Sequence, residues 1–325
     1  MSEVRLAVGT RRLPPVRPGV ASPFEANATV AGRWDLTPSI ARFAVRPDDG
    51  VSAFQPGQYF ALGLPVDGRI LQRPYSTASP ASEPGLLEFL VRLVPGGAFT
   101  PRLWRLQAGD RLRIGRPKGL FTLAPGDART HLLISTGTGL APFIAMAHAL
   151  RSRPDGPRSI VIHGAADVAE LAYRERLERW AAEGPTTVYV PAISRPDRPD
   201  NADWTGVIGR VDAALPAIWD RHRLDPAATV AYLCGNPGMI EAVTRRLREH
   251  GLAEAAIVSE HYWTDPGQGS AELTREHGIR TARGTSEGEG PTAGASGGPN
   301  GPNGPWRGRP SARTIVAKGD KENAP

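Results

Sequence analysis

The sequence predicts a two-domain α+β protein in which a small antiparallel β-barrel is followed by an α/β domain with a parallel sheet. Over residues 27–127, apolar side chains recur at every second position in short runs separated by turns that contain Gly or Pro. This pattern indicates antiparallel strands. Over residues 128–263, apolar strand-like runs alternate with helical segments, the order that builds a parallel sheet covered by helices. A chain of 325 residues is long enough for both domains.

The barrel prediction depends on three runs with a period of two, at residues 41–46, 86–94 and 111–114. Turn pairs punctuate this part of the chain at Pro56-Gly57, Asp67-Gly68, Pro84-Gly85 and Ala108-Gly109. A short helix is expected to begin at Thr100-Pro101, because Thr is a suitable N-cap and Pro at a first helical position loses no hydrogen bond. Free amides at that point would suit a phosphate, and a plain turn between strand and helix is the alternative.

The second domain is predicted from five strand candidates and four helix candidates. The strands are expected at residues 131–135, 159–163, 187–193, 229–233 and 256–259. The helices are expected at residues 142–151, 168–182, 211–219 and 237–249. In the last helix, Ile240, Val243 and Leu247 form an apolar stripe, as in a helix that packs one face on a sheet.

A polar run next to an apolar strand-like segment stands out in the barrel, at Arg73, Pro74, Tyr75 and Ser76. A guanidinium can bind a pyrophosphate through two parallel hydrogen bonds, a Tyr ring can stack on a flat heterocycle, and a Ser hydroxyl can reach a ring nitrogen. The run therefore suggests a site for a flat, anionic cofactor, with a surface turn as the alternative. On a regular strand Arg73 and Tyr75 would share one face and Ser76 the other, so a bend would be needed to direct all three at one ligand.

A glycine-containing loop follows the first strand of the second domain, at Ser135-Thr136-Gly137-Thr138-Gly139. The dinucleotide fingerprint would place a third Gly where Pro142 stands. Because Pro starts a helix but prevents the close backbone approach that Gly permits, we expect phosphates to lie differently from those in the usual dinucleotide fold. A simple glycine turn is the alternative.

The only cysteine of the chain lies where a predicted strand ends and a helix begins, in the segment Cys234-Gly235-Asn236-Pro237. Open α/β sheets bind ligands at this edge. A buried small thiol is the alternative, and both can hold together, since nothing indicates that Cys234 is a nucleophile. A single cysteine excludes an intrachain disulfide, a cysteine-ligated iron–sulfur cluster and a four-cysteine zinc site, and we expect no metal.

These motifs occur in an order and spacing that resembles the ferredoxin–NADP reductase family in its bacterial form. The matching segments are 73–76, 96–103, 135–142, 234–237 and the sequence Glu260-His261-Tyr262-Trp263. The resemblance covers roughly residues 27–263. It implies a six-stranded Greek-key barrel that binds FAD over residues 27–127 and an α/β domain that binds NADP over residues 128–263.

The resemblance also implies roles for individual residues. FAD would be bound by Arg73, Pro74, Tyr75, Ser76, Leu90, Ala98, Phe99 and Thr100, with Tyr262 and Trp263 covering it. NADP would be bound by Thr136, Gly137, Thr138, Gly139, Ser194, Arg195, Arg210, Gly235, Asn236 and Pro237. Catalysis would involve Tyr75 stacked on the flavin, Ser76 near its N5 atom and Cys234 beside the nicotinamide.

The preference for NADP over NAD follows from charge. A 2′-phosphate is bound by cations and a 2′-hydroxyl by a carboxylate. Arg195 and Arg210 match positions at which the family holds the 2′-phosphate, and Asp197 is the nearest carboxylate beyond the preceding strand. Related reductases often have an Arg where this chain has Ala166, so one phosphate anchor is missing and discrimination against NADH is expected to be weaker.

The expected activity is electron transfer between NADPH and an acidic carrier, ferredoxin or flavodoxin, through FAD. The net charge of +6 permits a basic docking face, and a mildly basic protein without one is the alternative. A flavin reductase component of an oxygenase or a ferric-siderophore reductase would share every motif. A flavin-dependent sensor or adaptor without enzymatic activity is a third possibility.

Several partners and locations are not expected. No Lys/Arg block is interleaved with aromatic residues, so nucleic acid is a poor fit, and no run of about 18 apolar residues predicts membrane insertion. We expect a cytoplasmic monomer. Residues 1–26 are interpreted as a mobile leader, with an arm over the flavin as the alternative. Residues 264–325 are rich in Gly and Pro and are predicted to be a disordered tail.

Overall fold

The computed structural model describes residues 25–81, 85–153 and 155–262. Most of the predicted leader, the predicted tail and Trp263 lie outside these ranges. No helix within the described ranges combines the length and apolar character needed to cross a bilayer. The same ranges hold no group of three or more His, Cys, Asp or Glu side chains that could bind a metal ion.

The first domain is a six-stranded antiparallel sheet that closes on itself. Its strands are β1 (Ala28–Thr37), β2 (Ile40–Pro47), β3 (Tyr59–Val66), β4 (Arg69–Ser76), β5 (Leu87–Arg92) and β6 (Arg111–Ile114). They lie in the order β4-β3-β6-β1-β2-β5. A bridge between Thr77 and Phe89, next to a hydrogen bond of 2.8 Å from the amide of Ala78 to the carbonyl of Glu88, joins the two outer strands. The antiparallel Greek-key barrel is therefore confirmed.

The interior of the barrel is filled by apolar side chains, of which Phe43, Phe89 and Leu112 belong to the runs with a predicted period of two. Phe43, Phe60, Phe89 and Leu112 are almost completely buried, and the rings of Phe60 and Phe89 meet edge to face at 6.2 Å. Burying side chains of this size stabilises the barrel by about 1.5–3 kcal/mol each. The alternation is not strict, because Ile40 in β2 and Leu90 in β5 are also buried, on the outer side that the second domain covers.

The predicted short helix is present as α1 (Thr100–Leu103), but its first turn differs from the expectation. Phe99, not Thr100, is the N-cap residue. The Thr100 hydroxyl instead accepts from the amide of Val94 at 2.9 Å and donates to the Val94 carbonyl at 3.2 Å. Thr100 therefore closes the loop 94–100 rather than capping the helix.

The second domain is a parallel sheet with helices on both faces. Its strands are β7 (Thr130–Thr136), β8 (Ser159–Ala165), β9 (Thr187–Ile193), β10 (Val207–Ile208), β11 (Thr229–Gly235) and β12 (Ile257–His261). Its helices are α2 (Ala141–Arg151), α3 (Arg174–Glu183), α4 (Val211–Arg221) and α5 (Pro237–Glu249). The strand order is β10-β9-β8-β7-β11-β12, so the order reverses between β7 and β11. Ligands bind at such a switch point, beyond the carboxyl ends of the strands.

Two elements of this domain differ from the predictions. The helix expected over residues 168–182 is split into a 3-10 turn, Val168–Glu170, and α3, which begins at Arg174. The break lies at Tyr173, which has a φ of 56°, a left-handed conformation that no helix continues through. The two-residue strand β10 was not predicted, because a strand this short leaves no periodic pattern; it extends the sheet beside β9.

The domains meet through a cluster of polar side chains centred on Glu88 of β5. The Tyr173 hydroxyl donates to this carboxylate at 3.1 Å, and guanidinium groups of Arg176 and Arg42 lie 3.4 and 3.6 Å from it. The Arg42 guanidinium also stacks on the Trp34 ring, 4.1 Å from its centroid. The left-handed turn at Tyr173 is what directs its ring into this interface cluster.

Candidate functional site

The centre of the candidate site is a chain of hydrogen bonds that crosses the domain boundary. Ser76 ends β4 and is buried. The Tyr262 hydroxyl donates to Ser76 Oγ at 2.8 Å, and Ser76 Oγ donates to Glu260 Oε2 at 3.2 Å. Glu260 lies on β12 and is also buried. The first domain therefore contributes one hydroxyl to a polar group built mainly by the end of the second domain.

Burial controls the protonation of this group. It raises the pKa of Glu260 to about 7, although the hydrogen bond from Ser76 acts in the opposite direction. Burial also raises the pKa of the Tyr262 hydroxyl well above its usual range. At neutral pH the Glu260 carboxyl can gain or lose a proton, and the phenol stays protonated.

Cys234 lies against the same group, at the carboxyl end of β11. It is fully buried, and its register partners are Ser135 on β7 and Glu260 on β12. Burial raises the pKa of its thiol well above the usual range, with the nearby Glu260 charge acting in the same direction. The thiol is therefore protonated, which agrees with a role in packing and placement and not with nucleophilic attack.

The predicted flavin-binding run is divided between two faces, as strand geometry requires. Arg73 and Tyr75 are both half-buried on the same side of β4, whereas Ser76 faces the second domain. The strand is regular through Ser76, so the side chains do not converge through a bend. The Tyr75 ring lies 6.0 Å from the ring of Phe99 at a tilt of 32°. The Arg73 guanidinium donates to the carbonyl of Gln72 at 2.7 Å.

The neighbouring residues that were predicted to contact FAD are mostly engaged with the protein itself. The carbonyl of Ala98 accepts from the Arg102 guanidinium at 2.6 Å, and Phe99 packs into the barrel core. Thr100 closes its loop on Val94. Leu90 is buried in the apolar contact between the domains.

The arrangement nevertheless fits a flavin dinucleotide. One face of β4 offers an aromatic ring and a guanidinium, and its end offers a hydroxyl linked to a carboxyl and a phenol. The aromatic ring can stack on a flat flavin ring, and the guanidinium can bind a pyrophosphate. The linked hydroxyl, carboxyl and phenol suit a ring edge that exchanges a proton. Pro74 is exposed between them on β4.

The glycine loop lies at the switch point between β7 and β11. It folds as a short 3-10 turn, Gly137–Leu140, in which Gly137 has a φ of 53°. A side chain on Gly139 would place a Cβ 2.4 Å from the carbonyl oxygen of Cys234, and one on Gly235 would lie 2.6 Å from Thr136 Oγ1. The turn after β7 and the end of β11 are thus in close backbone contact.

Two polar side chains hold the segments that form this crevice. The buried His163 has its Nε2 atom 3.2 Å from the carbonyl oxygen of Gly137. Asn236 is the N-cap of α5, where its Oδ1 atom accepts from the amides of Gly238 and Met239 at 2.9 and 3.3 Å. Pro237 follows as the first helical residue. The Asn236 side chain therefore shapes the helix start.

The residues predicted to bind the 2′-phosphate are brought together at the ends of β9 and β10. Ser194 and Arg195 follow β9 and are exposed. The amide of Gly209 donates to the carbonyl of Ile193 at 2.7 Å, which draws the exposed Arg210 toward them. Arg210 pairs with Asp212 at 3.1 Å, and within the described ranges the Arg195 guanidinium forms no ion pair.

Comparison with known proteins identifies both domains. Residues 29–123 match the oxidoreductase FAD-binding domain, and residues 133–245 match the oxidoreductase NAD-binding domain. Ferredoxin–NADP reductase B of Sorangium cellulosum is 32% identical over 247 residues, which are 74% of this chain and 98% of the relative. The chain belongs to the ferredoxin–NADP reductase family. The predicted family, with an FAD-binding domain and a nicotinamide nucleotide-binding domain, is confirmed.

This reductase is also similar to proteins with other partners. The reductase component DmpP of phenol 2-monooxygenase from Pseudomonas sp. (strain CF600) is 35% identical over 251 residues, which cover 77% of this chain and 68% of the relative. In fold, the reductase resembles the crystal structure of a ferredoxin NADP+ reductase from Neisseria gonorrhoeae with bound FAD and NADP. The TM-score is 0.63 at 24% identity, covering 74% of this chain and 100% of the other.

Glu260 is the site residue of this reductase to which the sequence assigned no role. Its segment matches the family motif, in which roles are predicted for Tyr262 and Trp263, and Trp263 lies outside the described residues. The available signal was a carboxylate at the end of the last apolar strand, next to the strand that carries the cysteine. A sequence does not show that this carboxylate is buried and meets Ser76.

Proposed function

We propose that this reductase transfers electrons between NADPH and an acidic one-electron carrier, ferredoxin or flavodoxin, through FAD. The observation that carries the proposal is the hydrogen-bonded set Ser76, Glu260 and Tyr262 beside Cys234. This set joins the FAD-binding domain to the switch point of the NAD-binding domain, where a nicotinamide would lie. A cytoplasmic location and a monomeric state are part of the proposal.

On the FAD side, each side chain has a task that its position suits. When bound, FAD would accept two electrons together, in the form of a hydride, and release them one at a time. Arg73 would hold the pyrophosphate, together with the backbone of Thr100 at the start of α1, and Tyr75 would stack on the ring. Tyr262 would cover the ring from the second domain. Ser76 would hold a proton at Oγ, and Glu260, with a pKa of about 7, would accept or return that proton.

On the nicotinamide side, the protein positions and selects the nucleotide. The turn Gly137–Leu140, Thr136 and the start of α5 at Asn236 would hold its phosphates and nicotinamide end, and the Cys234 thiol would flank the nicotinamide. Ser194, Arg195 and Arg210 would bind the 2′-phosphate, since charge-assisted hydrogen bonds to phosphate are among the strong ones.

The acceptor distinguishes two candidate functions. The net charge of +6 supports an acidic carrier protein, because opposite charge accelerates encounter. The identity of 35% to a phenol 2-monooxygenase reductase component supports the alternative, in which the protein serves an oxygenase. A ferric-siderophore reductase would share the same motifs.

The deciding experiment is NADPH-driven reduction of cytochrome c by the purified flavoprotein, with and without an acidic ferredoxin or flavodoxin. Stimulation by the carrier that weakens between 0.05 and 0.5 M salt, roughly the range over which screening of exposed charges becomes strong, is the expected result. NADPH-dependent bleaching of the flavin without stimulation by either carrier would favour the oxygenase or siderophore function. Absence of bleaching would contradict both.

A further inference from the structure

An ion pair lies next to the predicted 2′-phosphate site and belongs to none of the groups described above. Asp167 follows β8 by two residues, and its carboxylate is paired with the guanidinium of Arg198 in the loop after β9. The Arg198 side chain is 47% exposed and that of Asp167 is 18% exposed. Both are thus available to a ligand at the carboxyl edge of the sheet.

Asn201 fixes this pair relative to Arg195. Asn201 is only 2% exposed. Its Nδ2 atom donates to Asp167 Oδ1 at 3.1 Å and to the carbonyl of Arg195 at 2.7 Å. Its Oδ1 atom accepts from the amide of Val168 at 2.9 Å. A buried amide with these partners holds the loop after β9 rigidly against the loop after β8.

Backbone contacts bring the same two loops together at their bases. The amide of Ser194 donates to the carbonyl of Ala165 at 3.0 Å, and the amide of Arg195 donates to the carbonyl of Ala166 at 3.2 Å. The backbone of Arg195 is therefore held beside the loop that carries Asp167, whose carboxylate is paired with the Arg198 guanidinium.

The guanidinium of Arg198 favours NADPH, whereas the carboxylate of Asp167 favours NADH. A guanidinium has five donors in a fixed plane, and one Nη atom of Arg198 is bonded to Asp167, so others can bind a phosphate. A carboxylate repels a phosphate but accepts a hydrogen bond from the 2′-hydroxyl that NADH presents instead.

We propose that the Asp167–Arg198 pair sets the ratio of NADPH to NADH use, with Arg198 as a second 2′-phosphate cation beside Arg195 and Asp167 as the group that retains NADH. This inference rests on the proposed function, since it requires the 2′-phosphate to lie at Arg195. It also gives a physical reason for the weaker discrimination against NADH that Ala166 predicts. In this chain the second cation is Arg198, from the loop after β9, and Arg198 is shared with the carboxylate of Asp167.

The test compares kcat/KM for NADPH and NADH, and the affinity for adenosine 2′,5′-bisphosphate against AMP, in the FAD-loaded enzyme. Arg198→Ala is expected to lower kcat/KM for NADPH about tenfold, the usual size of a lost charge-assisted bond, and to leave NADH unchanged. Arg198→Lys should keep most of the NADPH activity. Asp167→Asn should have the opposite effect. It should raise the ratio of kcat/KM for NADPH to kcat/KM for NADH about fivefold, because it removes a negative charge close to the negatively charged 2′-phosphate.

Arg246→Ala is the matched control. Arg246 pairs with Glu249 at 2.9 Å, its side chain is 45% exposed, and it lies in the last turns of α5, which point away from the carboxyl edge of the sheet. We expect Arg246→Ala to leave kcat/KM unchanged for both NADPH and NADH. Equal losses for NADPH and NADH in Arg198→Ala, together with a lower melting temperature, would show that the pair only pins the loop and would overturn the inference.

Arg195→Ala separates this inference from the proposed function. If Arg195→Ala weakens NADPH selectively and Arg198→Ala does not, the inference fails and the NADPH-dependent function stands. If neither variant is selective for the 2′-phosphate, both the inference and the proposed NADPH preference fail.

Discussion

At the scale of single residues, Ser76 is one of the links between the two domains. Its hydroxyl accepts from Tyr262 and donates to Glu260, so removing it leaves a buried phenol and a buried carboxyl without their shared partner. We predict that Ser76→Ala retains FAD, because Arg73 and Tyr75 remain, but slows reduction of the flavin by NADPH about tenfold or more. Rapid-mixing absorbance measurements would show this.

The control for this variant is Ser152→Ala, which removes an exposed hydroxyl that donates to the His148 carbonyl at 2.7 Å in the last turn of α2. It should leave the rate unchanged. A rate of flavin reduction in Ser76→Ala equal to that of the wild type would refute the role given to Ser76.

Glu260 should make stability depend on pH. Its pKa of about 7 in the folded protein is above its ordinary value of 4.5. Between these pH values the folded state holds a proton that the unfolded chain has released, so the stability from this group is full below pH 4.5 and is lost as pH rises through 7. The loss should be about 3 kcal/mol.

Glu260→Gln should remove this loss, because a glutamine does not titrate. The measurement is the free energy of unfolding in urea at pH 5 and pH 8 for both proteins, and the difference between their slopes isolates Glu260 from other titrating groups. Parallel slopes would mean that Glu260 has an ordinary pKa in the folded protein.

Individual site residues could be predicted only where a motif carries the chemistry. The run from Arg73 to Ser76 and the glycine loop were recognisable because charge, ring and hydroxyl, or two glycines, occur together. Glu260 and Asn201 were not assigned roles, because one carboxylate or amide has no signature until folding buries it. Their partners lie far away in sequence, as with Ser76 and Glu260.

At the scale of elements, the close contact between the 3-10 turn at Gly137–Leu140 and the end of β11 determines the crevice. A Cβ at residue 139 would meet the carbonyl oxygen of Cys234 at 2.4 Å, so the strand backbone itself would have to move. We predict that Gly139→Ala costs about 2 kcal/mol or more of stability and weakens NADPH binding. Thermal unfolding and titration with NADP+ would measure both.

Gly184→Ala is the matched control, because Gly184 follows α3 and has no atom within 4 Å of its would-be Cβ. It should be close to neutral. If the two variants had the same melting temperature and affinity for NADP+, the contact at Gly139 would not be the constraint described here.

The bounds of helices and strands could be predicted where they depend on neighbouring residues in the sequence. Strand β9 and helix α5 have the predicted bounds, because each is bounded by clear turn or capping residues. The split before α3 was not predictable, since Tyr173 adopts its left-handed conformation to reach Glu88 in the other domain. Tertiary contact overrode local helix propensity at that point.

At the scale of the whole molecule, the interface cluster around Glu88 holds the domains together. Removing its carboxylate would leave the guanidinium groups of Arg42 and Arg176 near one another without a counter-charge. We predict that Glu88→Ala lowers the free energy of unfolding by about 1–2 kcal/mol and lowers NADPH turnover more than FAD content. Urea unfolding and the flavin absorbance of the purified variant would test this.

Glu183→Ala is the control, because its ion pair with Arg151 is exposed and lies within one domain. It should change stability by less than about 0.5 kcal/mol. Equal effects of the two variants would show that the cluster is an ordinary surface network.

The order of the elements along the chain also sets the order in which a ribosome makes the site. The barrel, with Ser76 at its edge, is complete by β6, whereas Glu260 and Tyr262 belong to the last described strand and the residue after it. Domains fold as units during synthesis, the N-terminal one first. A nascent chain therefore displays a finished barrel whose apolar contact surface, including Ile40, Ala78 and Leu90, is still uncovered. The hydrogen-bonded set that includes Ser76 can form only after β12 and Tyr262 have been translated.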